Sequence, residues 1–171
     1  MRPPIFTAAE VLRIAVRNEL EGEAFYRQIA QRTGDPAVRN LFLLLADEEP
    51  RHAARFSRML AEVDESVAVH PELDEYAGYM IAYYAANILF AENQADELPL
   101  APDPVTALDF GIQRELDAII YYTQIKDLVP AGQSHQIEAI IAEERGHFLK
   151  FSKLKQAYLA DTPSPGRKAS P

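Results

Sequence analysis

The chain contains no cysteine. That excludes disulfides, zinc–thiolate sites, iron–sulfur clusters and four-cysteine iron centres within it, and it fits a reducing cytoplasm. Positive charge is also scarce. Seventeen Lys and Arg stand against 26 Asp and Glu, a net charge of −9, which argues against nucleic acid or an anionic membrane surface as partner. Nowhere do about 18 apolar residues run uninterrupted, and the start, Met1-Arg-Pro-Pro-Ile-Phe, lacks the apolar stretch of a secretion signal. Neither a membrane span nor export is expected, and the expected location is cytoplasmic. No pair of alternating segments joined by a tight turn marks a β-hairpin. At 171 residues, 48% of them hydrophobic, the chain has the material for one domain with one core.

Helix punctuation is plain. Thr7-Ala-Ala-Glu10 forms a capping box that opens a helix running to about Arg32 and stopping at Gly34. Asp35-Pro36 pairs an N-cap with a proline at the first helical position, so a second helix starts there and runs to about Val63. Asp103-Pro104 repeats that device for a third helix ending near Pro130-Ala-Gly132, and Ser134 is placed to cap a fourth that reaches about Ala160. The long connection between the second and third helices has helical periodicity over about residues 72–97, including Tyr76, Tyr79, Tyr83 and Tyr84. A helical crossover fits that length better than a loop. Residues 161–171 read as a flexible tail on an all-α bundle spanning 1–160.

Comparing the chain with itself exposes a repeat. Ala15-x3-Glu19-x6-Tyr26 matches Gly111-x3-Glu115-x6-Tyr122, and Glu48-Glu49-x-x-His52 matches Glu143-Glu144-x-x-His147. In each helix these residues alternate three and four apart with apolar ones. Leu12, Ala15, Glu19, Gly22, Tyr26 and Ile29 form one such line; Leu45, Glu49, His52, Phe56 and Met59 form the next. Leu108, Gly111, Glu115, Ala118, Tyr122 and Ile125 follow, then Ile137, Ile140, Glu144, His147, Phe151 and Leu154. Each line is a seam facing the centre of a four-helix bundle.

Four carboxylates at such positions repel one another and cost several kcal/mol each unless paired or coordinated. The seams offer no Lys or Arg at that level, so the cations must come from outside. Two divalent metal ions satisfy the set: Glu19, Glu49, His52, Glu115, Glu144 and His147 as ligands, with open positions left over. Glu48 and Glu143 fall off the seam and read as outer acids. Tyr26 and Tyr122 lie on the metal side, as catalytic candidates that hydrogen-bond a ligand or relay an electron. His70 and His135 read as surface residues. Gly22 and Gly111 allow close helix approach or room for a small oxidant. Pro50, between Glu49 and His52, removes a helical N–H and is expected to distort one half-site, making the two metals inequivalent.

Over most of residues 8–158 these motifs resemble the rubrerythrin/bacterioferritin branch of the ferritin-like superfamily. The resemblance implies an antiparallel four-helix bundle with a long crossover between helices 2 and 3. By position, Glu49 with His52 and Glu144 with His147 match the family's two Glu-x-x-His pairs; Glu19 and Glu115 match its lone acids, and Tyr26 and Tyr122 its tyrosines near the cluster. Two iron ions are the implied cofactor, although manganese suits the same ligands. The implied function is a di-iron oxidoreductase reacting ferrous iron with peroxide or dioxygen. Iron storage or delivery, a dimanganese catalase and a metal-free bundle with protonated acids are the alternatives. Four departures refine this. Ala118 replaces a ligand-capable Glu one turn after the third-helix acid. The rubredoxin-like domain is absent, so electrons come from an external donor protein or from ferrous ions. The haem-ligating Met of bacterioferritin falls at Pro50, which argues against haem. The connection also looks longer than in either family, which favours a homodimer over a closed cage.

Overall fold

Three helix starts are set by side chains within three residues of the first turn. Thr7 Oγ1 accepts from Glu10 N–H (3.2 Å) while Glu10 Oε2 accepts from Thr7 N–H (2.9 Å), completing the capping box. Asp35 accepts from the N–H groups of Ala37 and Val38, and Asp103 from those of Val105 and Thr106. In both cases the following proline sits where its missing N–H costs nothing. The computed structural model describes residues 6–63, 99 and 101–161. They form α1 (Ala8–Arg32), α2 (Pro36–Glu62), α3 (Pro104–Lys126) and α4 (Ser134–Asp161), with a 3₁₀ turn (Ala131–Gln133) before α4. No strand occurs among the described residues, and no helix there is long and apolar enough to cross a membrane. The expected crossover helix at 72–97 with its tyrosines, His70, and all of the tail beyond Asp161 lie outside the described residues.

Three helix ends differ from expectation. Ser134 does not cap α4: its hydroxyl donates to Ala131 O (3.0 Å), and its backbone is already helical. The 3₁₀ turn feeds the chain into α4, and the Ser134 N–H meets Ala131 O. α3 ends at Lys126, before Pro130, and Asp127 and Leu128 N–H close its last turn. α1 stops on Thr33, whose extended backbone still donates to Ile29 O, rather than on a left-handed Gly34.

α1 packs mainly on α2 and α3 mainly on α4, giving two helical hairpins. Their directions follow from the core. One apolar cluster gathers Leu12 of α1, Phe56 of α2, Tyr122 and Ile125 of α3 and Ile137 and Ile140 of α4. The other gathers Tyr26 and Ile29 of α1, Phe42 and Leu45 of α2, Leu108 of α3 and Phe151 of α4. α1 and α4 therefore run one way and α2 and α3 the other, an all-α antiparallel bundle. Between the two apolar layers, the seam positions on all four helices are polar.

Gly111 makes the packing of one layer possible. A Cβ there would lie 2.7 Å from Phe151 Cζ. The Phe151 ring is fully buried between Phe42 (centroids 5.0 Å apart) and Tyr26 (5.8 Å), so it cannot swing aside. The matching residue of the other hairpin is Ala15. Gly111→Ala is expected to cost about 1–3 kcal/mol in overpacking, offset by about 1 kcal/mol of helix propensity. A lower urea midpoint at unchanged slope is the expected reading; a higher one would show that the ring has room.

Candidate metal centre

The six seam groups converge at the level between the apolar layers. Glu19, Glu49, Glu115, Glu144 and His147 are each at most 7% exposed. His52 Nδ1 lies 3.4 Å from Glu19 Oε2 and 4.0 Å from Glu49 Oε2. His147 Nδ1 lies 3.5 Å from Glu49 Oε1 and 3.7 Å from Glu115 Oε1. Donor atoms of Glu49, His52 and His147 fall within 4.8 Å of one another, and so do those of Glu115, Glu144 and His147. The two imidazoles stack across the hairpin interface, with centroids 5.0 Å apart and planes at 27°. The grouping crosses the repeat: Glu49 lies against the histidine of the other hairpin as well as its own.

α2 runs unbroken through Pro50, and Glu49 and His52 both turn inward. The expected inequality of the half-sites shows instead in exposure, with the His52 side chain at 15% and that of His147 at 2%. Gly22 faces the Glu49 carboxylate: a Cβ on it would meet the carboxyl carbon at 3.4 Å, an ordinary contact.

The electrostatics follow from burial. Removal from water pushes Glu19 up to about 8, with the neighbouring Glu144 and Glu115 adding to the rise and the pairing with Glu49 opposing it. Glu115 is likewise pushed up to about 8 by burial, opposed by its pairing with Glu144. Glu49 and Glu144 are raised well above the carboxylate range, first by burial and then by the adjacent acids. Burial also lowers both histidines, favouring the neutral, ligand-ready imidazole. No hydrogen-bond partner among the described residues reaches Glu19 Oε1, Glu19 Oε2, His52 Nδ1 or His147 Nδ1. Buried polar atoms are ordinarily satisfied. A cluster of orphaned oxygen and nitrogen donors converging on one point is the chemistry of a dimetal carboxylate site, so the residues present fit two ions.

The tyrosines act across the bundle. Tyr26 of α1 donates to Glu115 of α3, and Tyr122 of α3 accepts from Asn18 Nδ2 of α1 at 3.4 Å. Only the first of the two touches a candidate ligand. Between α1 and α3 lies a cavity of about 20 Å³, room for one water-sized molecule. Its walls include the four glutamates, Gly22, Ala118 and Tyr26, and also Asn18 and Arg114. Those last two were not singled out from the sequence. Each immediately precedes a seam acid, and extending the repeat by one residue would have found them. His135 is exposed, as a surface residue should be.

This helix order and the buried carboxylate–imidazole layer define the ferritin-like class of carboxylate bundles. The rubrerythrin family model matches residues 10–155. A protein of Thermotoga maritima, provisionally assigned as a ferritin-like diiron-carboxylate protein, is similar in structure at 26% identity and a TM-score of 0.60; the match covers 92% of this chain and 99% of that one. A hypothetical protein from Pyrococcus furiosus shares the fold at 17% identity and a TM-score of 0.55, over 93% of this chain and 98% of that one. No curated protein matches. The chain belongs to the rubrerythrin family, and that membership implies iron binding.

Proposed function

We propose that the protein is a non-haem di-iron oxidoreductase, reacting ferrous iron with peroxide or dioxygen as a peroxidase or ferroxidase. The observation that carries this reading is the set of buried donor atoms without partners on Glu19, His52 and His147, beside a water-sized cavity walled by all four glutamates. Glu19, Glu49, His52, Glu115, Glu144 and His147 would hold the two ions, which supply reducing electrons and Lewis acidity when bound. The chain's own contribution is placement. Tyr26 pins the Glu115 carboxylate from the opposite hairpin. Phe151, Phe42 and Tyr26 close one side of the layer to water, and Tyr122 and Phe56 close the other. Ala118 puts a methyl group rather than a fifth carboxylate on the cavity wall. With no cysteine in the chain, further electrons would come from an external donor protein.

Glu115→Ala tests the assignment. The variant is expected to lose tight binding of one of the two ions and to lower peroxide consumption by more than about 100-fold, the upper end for outer-shell partners. Metal analysis and stopped-flow mixing of the ferrous protein with peroxide measure both. A variant that keeps two irons and normal turnover sinks the reading. Two manganese ions with oxygen release would point to a catalase, and many irons per assembled particle to storage.

A further inference from the structure

The seam between α1 and α3 closes unevenly. Asn18, Gly22 and Phe25 stand at i, i+4 and i+7 on α1, and Phe110, Arg114 and Ala118 stand at i, i+4 and i+8 on α3. That spacing puts each trio on one stripe of its helix. The two helices run in opposite directions, so the stripes pass head to tail. At one end Phe25 stacks on Phe110, with centroids 5.8 Å apart and planes at 24°. At the other, Asn18 donates to Tyr122. Between these ends stand two small residues, Gly22 and Ala118, and there the cavity beside the four glutamates lies. Of the described residues that line it, all are buried except Arg114, which is half-buried. Arg114 is therefore the wall that faces both cavity and solvent. Its guanidinium lies over the Phe25 ring, with Cζ 4.7 Å from the centroid, a cation–π seat that holds the side chain along the seam.

We propose that the α1–α3 seam is the oxidant's way in and that Arg114 is its specificity-determining residue, lying across the opening so that a small oxidant passes and a branched organic hydroperoxide does not. This rests on the metal reading above. Volume sets the limit, since a cavity of about 20 Å³ holds one water-sized molecule. Charge sets the kind of guest. The positive charge of Arg114 is felt at Glu19, and a cation at the opening favours neutral or anionic guests over divalent ions. The opening therefore suits the oxidant and not the iron. Asn18 adds recognition. It is 7% exposed, and its Oδ1 has no hydrogen-bond partner among the described residues. An O–H entering the cavity finds an acceptor there.

The plain alternative is an arginine that only packs on Phe25 while guests reach the ions from elsewhere, past the 15%-exposed His52 side chain. Two variants of the full chain separate them. Arg114→Ala empties the seam, whereas Arg114→Met refills it with a long uncharged side chain. Co(II)-loaded protein would be titrated with formate and with pivalate, the same carboxylate head without and with a tert-butyl group, and the cobalt absorption bands record binding. Wild-type protein is expected to respond to formate and not to pivalate. Arg114→Ala is expected to bind pivalate at least about tenfold more tightly than wild type. It should raise kcat/KM for tert-butyl hydroperoxide relative to hydrogen peroxide by a similar factor, with Arg114→Met restoring most of the exclusion. Wild-type protein that takes pivalate as readily as formate overturns the proposal while leaving the metal reading standing. So do unchanged ratios in Arg114→Ala, or equal gains in Ala and Met. Wild-type protein that binds no Co(II) overturns both.

Discussion

Loading the metal-free protein with two ferrous ions under anaerobic conditions is expected to raise its Tm by about 10–20 °C. The arrangement brings four buried carboxyls together with two imidazoles. Ions that bind only the folded chain stabilise it by mass action, about 2.7 kcal/mol each at a free concentration 100 times the dissociation constant. Two such ions give about 5 kcal/mol, and a domain of this size gains roughly 2–4 °C per kcal/mol. Calorimetric scans before and after chelation measure the shift. Identical Tm values would mean that the acids are satisfied without metal, as in a bundle held by protonated carboxyls.

Metal-free protein is expected to lose stability steeply as pH rises from about 6.5 to about 8. The sign follows from linkage. An acid whose folded pKa is raised holds its proton in the folded state after the unfolded chain has released it. Its contribution is therefore complete below the unfolded carboxylate range and is lost as pH rises through the folded value. Glu19 and Glu115, pushed up to about 8, and Glu49 and Glu144, also raised well above the carboxylate range, all act in this direction. His52 and His147 act oppositely. With folded pKa values lowered from 6.5, they favour folding above the unfolded value and oppose it as pH falls. Below pH 6.5 the two effects partly cancel; above it the four acids act unopposed. A fall on the order of 10 °C in Tm between pH 6.5 and 8.5 is expected, since several kcal/mol are at stake. Bound metal should flatten the profile, because the ions displace those protons. A metal-free Tm that rises over this interval would show that the acids are ionised and compensated in another way.

Much of the architecture was legible along the chain because the causes are local. Thr7, Asp35 and Asp103 cap helices through contacts no more than three residues away, so a short window of sequence contains the whole interaction. The alternation of three and four residues likewise marks the inward face of each helix before any helix has a neighbour. Ser134 failed as a cap because the competing 3₁₀ turn depends on how the α3–α4 link closes, including Gln133, which accepts from Ala8 N–H 125 residues away.

The sequence by itself determined the four helices, their inward faces and the six groups that had to be neutralised together, since periodicity and burial cost follow from residue type and spacing. The tertiary structure alone decided which group serves which. Tyr26 reaches Glu115 rather than the acid on its own helix. Glu49 lies beside both histidines, and Glu48 and Glu143 cross to the opposite rings. Those pairings depend on the offset and direction of one hairpin against the other. Packing of the two apolar layers sets that register, and no spacing within a single helix encodes it.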